Sequence, residues 1–176
     1  NKSIIAGNAK LMAGENVDIK GYEGVAEKLA AEGKTPLYFA LDGTLAGIIA
    51  VADKPKKEAK EVIEKLASYG INVYMLTGDN RATALAIASL VGIREENVIS
   101  DVLPEDKQNA VAKLKENALT AMVGDGVNDA PALSAADVGV AVSSGSFVAV
   151  DAAEVVVMND LSSLLFAFKL SKRTIL

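Results

Sequence analysis

The 176-residue chain contains no cysteine and no histidine. These two absences exclude a disulfide framework, a thiolate nucleophile, a Cys/His zinc site and a histidine general base. Aromatic residues are also scarce, at 5% of the chain, although 51% of the chain is apolar. Alanine and valine supply much of this apolar content, which predicts a core of closely packed sheet and helices.

The chain also lacks any run of lysine and arginine. Its net charge is −5 at pH 7 and its sequence pI is about 4.8. A mildly acidic chain without a basic patch is not typical of a protein that binds nucleic acid. We therefore expect no nucleic-acid partner.

No apolar run reaches the roughly 20 residues that are needed to span a bilayer. The apolar segment 161–170 is followed at once by Ser171-Lys172-Arg173. We interpret this segment as a helix packed on the sheet, and a further interpretation is that it leads into a membrane helix outside this chain. The chain begins with Asn1 rather than with methionine, and no signal peptide follows. We therefore expect it to be a piece of a longer protein, and we expect this piece itself to be soluble.

From Pro55 onward the pattern alternates apolar strands with helices, which indicates βαβ units and a parallel α/β sheet buried on both faces. The predicted strands cover residues 71–76, 98–99, 119–123, 138–142 and 154–158. The predicted helices cover residues 56–69, 80–91, 105–116 and 130–136, and a final helix begins near Asp160. Such sheets place their functional sites at the carboxyl ends of the strands.

The first 52 residues follow a different pattern, that of antiparallel α+β structure. Two predicted strands, 35–40 and 45–51, flank Asp42-Gly43, which is a strong hairpin signal. A helix near 22–31 precedes them and ends at Gly33. We therefore predict two domains, residues 1–52 and residues 53–176.

Two acidic loops follow predicted strands in the second domain. In residues 124–131, Asp125 and Asp129 lie four positions apart on either side of Asn128. Two carboxylates and an amide on one short loop suit a hard cation such as Mg²⁺, since such ions prefer oxygen ligands. Residues 77–80 offer a hydroxyl, flexible backbone and a helix N-terminus, which together favour an anion. The two loops predict a phosphoryl-transfer site.

Lys107 lies in the first turn of a predicted helix, after Pro104. The helix dipole disfavours a lysine there, so we consider two interpretations: a solvated surface lysine, or an ammonium that reaches the phosphoryl group. Gly7-Asn8, which follows a short predicted strand, is explained as well by turn formation as by ligand binding.

In chain order, three segments carry a resemblance to a known family: residues 77–80, residues 104–107 and the ten residues 124–133. They resemble the phosphorylation domain of P-type cation-transporting ATPases, which belongs to the haloacid dehalogenase superfamily. Residues 136–141 and 152–157, with Gly7-Asn8 before Leu11-Met12, resemble the heavy-metal subgroup. The resemblance implies a haloacid dehalogenase-like parallel sheet flanked by helices, after a partial antiparallel nucleotide-binding domain.

The family's functional residues transfer to matching positions in this chain. The resemblance implies catalytic roles for Thr77, Gly78, Asp79, Lys107 and Asn128, Mg²⁺ binding by Asp125 and Asp129, and ATP binding by Gly7 and Asn8. Within this set Thr77 and Lys107 would hold the phosphoryl group, and Asp53 would lie at the hinge between the domains. ATP and Mg²⁺ are the implied cofactors, and the implied location is the cytoplasmic face of a membrane.

The resemblance implies an exporter of a heavy-metal cation, Cu⁺ first and zinc or cadmium second, that forms an aspartyl-phosphate intermediate. The transported ion would bind to a membrane part that this chain does not include. The family's Asp-Lys-Thr-Gly-Thr motif, which carries the phosphorylated aspartate on the central strand, is nowhere in the chain. We therefore predict that a missing upstream segment supplies it and that the chain alone is inactive. Phe147 also stands where the family has an aspartate.

Two other functions remain open from the residues. A soluble phosphatase of the same superfamily needs an Asp-x-Asp nucleophile after its first strand, but Asp42 lies in a predicted hairpin turn. A non-catalytic module that binds nucleotide or Mg²⁺ and regulates a partner is the second.

Overall fold

The computed structural model describes residues 2–52, 54–124, 127–143, 151–158 and 160–174. In these ranges the strands are β1 (Ile4–Gly7), β2 (Thr35–Leu41), β3 (Thr44–Val51), β4 (Met75–Leu76), β5 (Val98–Ile99), β6 (Ala121–Gly124), β7 (Val138–Ser143) and β8 (Val155–Met158). The helices are α1 (Ala9–Gly14), α2 (Glu23–Ala31), α3 (Ala59–Ser68), α4 (Arg81–Val91), α5 (Lys107–Lys115), α6 (Ala130–Ala135) and α7 (Ser163–Thr174). The predicted α/β class, with antiparallel structure near the N-terminus, is confirmed.

Strands β1, β2 and β3 form an antiparallel sheet with β2 in the centre. Asp42 and Gly43 both have positive φ, 49° and 80°, as a tight two-residue hairpin turn between right-twisted strands requires. Asp42 also holds the edge strand, because its Oδ1 accepts a hydrogen bond from the Ser3 N–H at 2.8 Å. Side chains from the sheet, from α1 and α2 and from the segment between these helices form one core: Met12, Val17, Ala26, Tyr38 and Ala40.

The parallel strands form two separate groups in the described residues. One is β4 beside β5, and the other has the order β6-β7-β8. The predicted strand 71–76 is wrong in length, because only Met75–Leu76 is a strand. A strand needs ladder partners, and among the described residues the short β5 is the only strand paired with β4.

The helix bounds follow local capping. Asn80 caps α4 by accepting the Thr83 N–H at 3.0 Å, and Gly92 ends it with φ 82°, which suits glycine. The final helix starts at Ser163 rather than near Asp160. Asp160 accepts the N–H groups of Ser162 and Ser163, so it organises the turn that precedes the helix.

Helices α5 and α6 cover the region between the two strand groups. Val111, Ala132 and Ala136 form a buried cluster there, and Leu76 of β4 and Met122 of β6 both pack against it. Strands β4 and β6 therefore pack on the same helical layer. Among the described residues, no helix is both long enough and apolar enough to span a bilayer.

Candidate active site

The loop after β4 is held by two hydrogen bonds between Thr77 and Asp79, which lie two positions apart in the chain. The Thr77 hydroxyl donates to Asp79 Oδ2 at 3.0 Å, and the Asp79 N–H donates back to Thr77 Oγ1 at 3.1 Å. Both side chains are half-buried. Asn80 begins α4 immediately afterwards, and its side-chain oxygen occupies the Thr83 N–H. The Thr83 N–H, one of the helix N-terminal donors predicted to bind an anion, is therefore already hydrogen-bonded to the cap.

The loop after β5 supports the loop after β4. The Thr77 N–H donates to the Ile99 carbonyl at 3.0 Å, and the Val102 N–H donates to the Thr77 carbonyl at 3.2 Å. A Cβ at Gly78 would lie 3.2 Å from the Val102 carbonyl oxygen, which is closer than most side chains approach a backbone atom. The exposed Gly78 therefore fits this position because it has no side chain.

Lys107 and Asp129 form an ion pair between the starts of two helices. Lys107 Nζ lies 2.7 Å from Asp129 Oδ1, and their side chains are 19% and 14% exposed. Lys107 is the first residue of α5 and Asp129 directly precedes α6. The interpretation of Lys107 as a solvated surface lysine is therefore wrong. Its charge is offset by a carboxylate in a site that is largely shielded from water.

The end of β6 is packed closely against this pair. A Cβ at Gly124 would lie 2.9 Å from Asp129 Cβ and 3.0 Å from Asp129 Oδ2. The absence of a side chain at Gly124 lets the Asp129 carboxylate lie against the strand end. The backbone of β6 thus lies directly against this carboxylate.

The chemistry of the donors at this loop fits Mg²⁺. Asn128, which is exposed, and Asp129 offer amide and carboxylate oxygens, the ligands that this ion prefers. Asp125, the first predicted metal ligand, lies outside the described residues, as do Asp53 and Phe147. In the ranges that the structure describes, no three acidic side chains are grouped closely enough to hold a metal ion.

The Gly7-Asn8 pair lies far from these loops in the chain, at the start of α1. The Asn8 side chain accepts the Leu11 N–H at 2.9 Å and so caps this helix. A Cβ at Gly7 would lie 2.4 Å from Leu11 Cδ2, so a larger residue there would require the exposed Leu11 side chain to move. The predicted contact of Gly7 and Asn8 with ATP stays a prediction.

The structure brings some of the predicted site residues into contact. Lys107 meets Asp129, and Thr77 meets Asp79. Among the described residues, no side-chain hydrogen bond joins one pair to the other. They are related through β4 and β6, whose residues Leu76 and Met122 pack on one cluster.

Two polar residues at the site were not predicted. Thr35 donates its hydroxyl to Asp79 Oδ1 at 2.8 Å, and Thr83 donates its hydroxyl to the Lys34 carbonyl at 3.0 Å. The Asn-x-x-Thr spacing from Asn80 to Thr83 is a local capping signal that could have indicated Thr83. Nothing in the sequence near Thr35 indicates its contact, because Asp79 lies 44 residues away.

Comparison with known proteins identifies the family. Residues 1–137 match the family model described as haloacid dehalogenase-like hydrolase. The chain belongs to the haloacid dehalogenase-like hydrolase family. This match includes the loops after β4 and β6 and the start of α5.

Relatives of this haloacid dehalogenase-like chain include transport ATPases. Copper-transporting ATPase 2 of Rhizobium meliloti (strain 1021) is 45% identical over 99% of the chain and 21% of the relative. The copper-exporting P-type ATPase of Bacillus subtilis (strain 168) is 45% identical over 98% of the chain and 22% of the relative. The chain thus spans about a fifth of the length of these relatives.

The fold is also similar to that of a zinc-transporting PIB-type ATPase solved in its E2.Pi state. The TM-score is 0.61 at 35% identity, and the match covers 89% of this chain and 24% of the ATPase. The resemblance of the chain to the heavy-metal P-type ATPases is confirmed by these matches.

Proposed function

We propose that this chain is part of the ATP-hydrolysing portion of a P-type ATPase that exports a heavy-metal cation through an aspartyl-phosphate intermediate. In this role the chain lies on the cytoplasmic face of a membrane as part of an integral membrane protein. Its homology to P-type ATPases over nearly its whole length supports this proposal.

One structural observation carries the proposal. Strands β4 and β6 pack on the same cluster of Val111, Ala132 and Ala136, and each is paired on one side only within the described ranges. The loops that contain Thr77 and Asp129 follow these two strands, and Lys107 contacts Asp129. A parallel strand inserted between β4 and β6 would pair with both of them and so complete one sheet. Its two neighbours would then lie about 10 Å apart, twice the spacing between adjacent strands.

We place the missing nucleophile on this inserted strand. An aspartate at the carboxyl end of a strand between β4 and β6 would lie with Thr77 on one side and Asp129 on the other. Backbone groups on the facing edges of β4 and β6 would also gain partners, and buried backbone groups need them. The missing segment is therefore the partner that completes both the fold and the chemistry.

Each loop would then act on the phosphoryl group in its own way. The Thr77 hydroxyl would donate to a phosphoryl oxygen, with the Gly78 and Asp79 backbone beside it. The Lys107 ammonium would offset negative charge that gathers in the transition state. Removing one such preorganised contact costs on the order of 10²–10³ in rate.

The cation and nucleotide sites complete this assignment. Asp125, Asn128 and Asp129 would hold Mg²⁺, whose chemistry there is neutralisation of the phosphoryl oxygens. Gly7 and Asn8 would contact ATP, an assignment that rests on the resemblance, since the Asn8 side chain caps α1.

The transported ion that the proposal favours is Cu⁺, because the copper ATPases are 45% identical to the chain. A zinc exporter is the second candidate, supported by the match to the zinc-transporting ATPase at 35% identity. The described residues include no cysteine or histidine, so ligands for such soft ions would belong to the membrane part.

The experiment is phosphoenzyme formation by the full-length protein that contains this chain. Incubated with radiolabelled ATP and Mg²⁺, it should form an acid-stable, hydroxylamine-sensitive phosphoprotein whose turnover is stimulated by Cu⁺ more than by Zn²⁺. Stimulation by Zn²⁺ alone would favour the second candidate.

Two controls separate the parts of the proposal. The 176-residue chain alone should form no acyl phosphate under the same conditions. The Lys107→Ala variant of the full-length protein should slow turnover about 10²–10³-fold. A full-length protein without acyl phosphate, or an isolated chain that forms it, would contradict the assignment.

A further inference from the structure

Two hydrogen bonds join the start of β2 to the loop that contains Thr77 and to the first turn of α4. Thr35, the first residue of β2, donates its hydroxyl to Asp79 Oδ1 at 2.8 Å. Thr83, in the first turn of α4 and 2% exposed, donates its hydroxyl to the Lys34 carbonyl at 3.0 Å. These bonds connect segments that lie 44 and 49 residues apart in the chain.

Apolar packing surrounds these two bonds. Helix α2 packs on α4, and Gly33 adopts φ +73° just after α2, with its Cβ position 3.2 Å from Ile87 Cδ1. The two hydroxyl bonds therefore lie at the margin of a packed contact rather than at an open surface. Partial shielding from water strengthens hydrogen bonds to a carboxylate.

The Asp79 carboxylate is shared between two hydroxyl groups. Its Oδ1 accepts from Thr35 and its Oδ2 accepts from Thr77. A hydroxyl has one proton to donate. Thr77 can therefore donate to Asp79 or to a phosphoryl oxygen, but not to both.

We propose that Thr35 is a positioning residue, which couples the placement of the antiparallel sheet to phosphoryl binding by Thr77 through the shared Asp79 carboxylate. This inference rests on the proposed role of Thr77. When the Thr77 hydroxyl turns to a phosphoryl oxygen, Asp79 loses one donor, and Thr35 keeps the other in place. Rotation of the Thr77 hydroxyl away from Asp79 therefore costs less free energy when Thr35 is hydrogen-bonded to Asp79 than when it is not.

Coupling of this kind acts in both directions, because linkage between two equilibria is reciprocal. Docking of Thr35 on Asp79 favours phosphoryl binding, and phosphoryl binding favours docking. Docking of Thr35 and phosphoryl binding both act through the Asp79 carboxylate. The coupling therefore requires the hydroxyl of Thr35, and a side chain of similar size without a hydroxyl would not supply it.

The first measurement reports the position of the sheet and does not depend on the proposed function. The chain has no cysteine, so Lys10→Cys on α1 and Lys113→Cys on α5 allow specific nitroxide labelling at two exposed positions. Electron paramagnetic resonance should give one narrow distance distribution for the labelled chain. Thr35→Val should broaden it, and Thr35→Ser, which keeps the hydroxyl, should not.

Thr44→Val is the matched control. Thr44 is also the first residue of a strand, β3, but it is exposed, and its variant should leave the distribution narrow. An unchanged distribution in Thr35→Val would overturn the docking role.

The second measurement tests the coupling in the full-length protein, with inorganic phosphate as the probe. Thr35→Val should raise the phosphate concentration that gives half-maximal phosphoenzyme about five- to tenfold, because it removes a hydrogen bond to a charged group. Thr35→Ser and Thr44→Val should change it less than about twofold.

The outcomes separate the two proposals. A broadened distance with unchanged phosphate dependence would show that Thr35 only holds the sheet, and the coupling would be overturned. If the unaltered full-length protein forms no phosphoenzyme, the proposed function fails, and the coupling to phosphate fails with it. The distance measurement still decides whether Thr35 docks on Asp79.

Discussion

Lys107 Nζ lies 2.7 Å from Asp129 Oδ1, although the two residues are 22 positions apart in the chain. Each stands beside a helix start, and together they form a mostly shielded pair of opposite charges. A lysine at a helix N-terminus is electrostatically unfavourable, and the carboxylate of Asp129 offsets this cost. The pair links α5 to the loop after β6.

The first prediction concerns the strength of this pair. A double-mutant cycle with Lys107→Met and Asp129→Ala should give a coupling free energy of about 1–2 kcal/mol. This lies between exposed pairs, worth about 0.2–1 kcal/mol, and fully buried pairs, whose disruption costs about 3–5 kcal/mol. Urea unfolding of the four proteins measures it.

The exposed pair of Arg81 and Glu95 is the control for this cycle. Its atoms are 3.1 Å apart, but its side chains are 54% and 69% exposed. Its coupling should stay below about 0.5 kcal/mol. Equal coupling in the two cycles would show that burial does not strengthen the Lys107–Asp129 pair.

The second prediction concerns Gly124. The Gly124→Ala variant places a methyl group 2.9 Å from Asp129 Cβ, so Asp129 or the end of β6 must shift, and this should disturb the contact between Asp129 and Lys107. We expect a loss of about 1–3 kcal/mol in the free energy of unfolding. A change in the ¹⁵N chemical shift of the Lys107 ammonium should accompany it.

Gly24→Ala is the control for Gly124→Ala. Gly24 lies in α2, and a Cβ there meets nothing within 4 Å. This variant should stabilise the protein by about 0.5 kcal/mol, because alanine favours helices over glycine. A Gly124→Ala protein with unchanged stability and an unchanged Lys107 signal would refute the contact.

The third prediction concerns the core beneath the loop after β6. Leu133 is 0% exposed and packs with Ala141, Met122 and Val156. Leu133→Ala should lower the free energy of unfolding by about 2–5 kcal/mol, through lost burial and a new cavity. Leu119 is 93% exposed, so Leu119→Ala should change it by less than about 0.5 kcal/mol. Similar losses in both variants would contradict the packing.

The fourth prediction concerns pH. The Thr120 N–H donates to Asp137 Oδ2 at 2.9 Å, and Lys115 Nζ lies 3.2 Å from Oδ1. These two contacts, the backbone hydrogen bond first, lower the pKa of Asp137 below its ordinary value. A carboxyl whose pKa is lower when folded stabilises the protein above the unfolded pKa. That stabilisation is lost as pH falls through the folded pKa.

The Asp137→Asn variant should therefore be less stable than the unaltered protein at pH 6, and the difference should shrink below about pH 4. Lys115→Met keeps the Thr120 bond and should remove only part of the pH dependence. Urea titrations from pH 7 to pH 3 measure both. A difference that grows as pH falls would contradict the sign.

Local residue choices were enough to predict much of the fold. Asp42-Gly43 predicted the hairpin because the turn needs two residues with positive φ, and both have it. Asn80 and Gly92 marked the ends of α4 because capping involves residues within one helical turn. The length of β4 could not be predicted in the same way. Whether a segment forms a strand depends on its ladder partners, and residues 71–74, which are apolar except for Asn72, remain outside the strand.

The amino-acid sequence alone established the alternation of strands and helices and the loops that contain Thr77 and Asp129. It also established the resemblance of these loops to those of P-type ATPases. Each of those features depends on neighbours within a few positions. Only the three-dimensional arrangement determined that Lys107 pairs with Asp129 and that Thr35 reaches Asp79. Such pairings arise because the order of strands in the sheets and the packing of α2 on α4 bring distant segments together, and spacing along the chain does not encode that order.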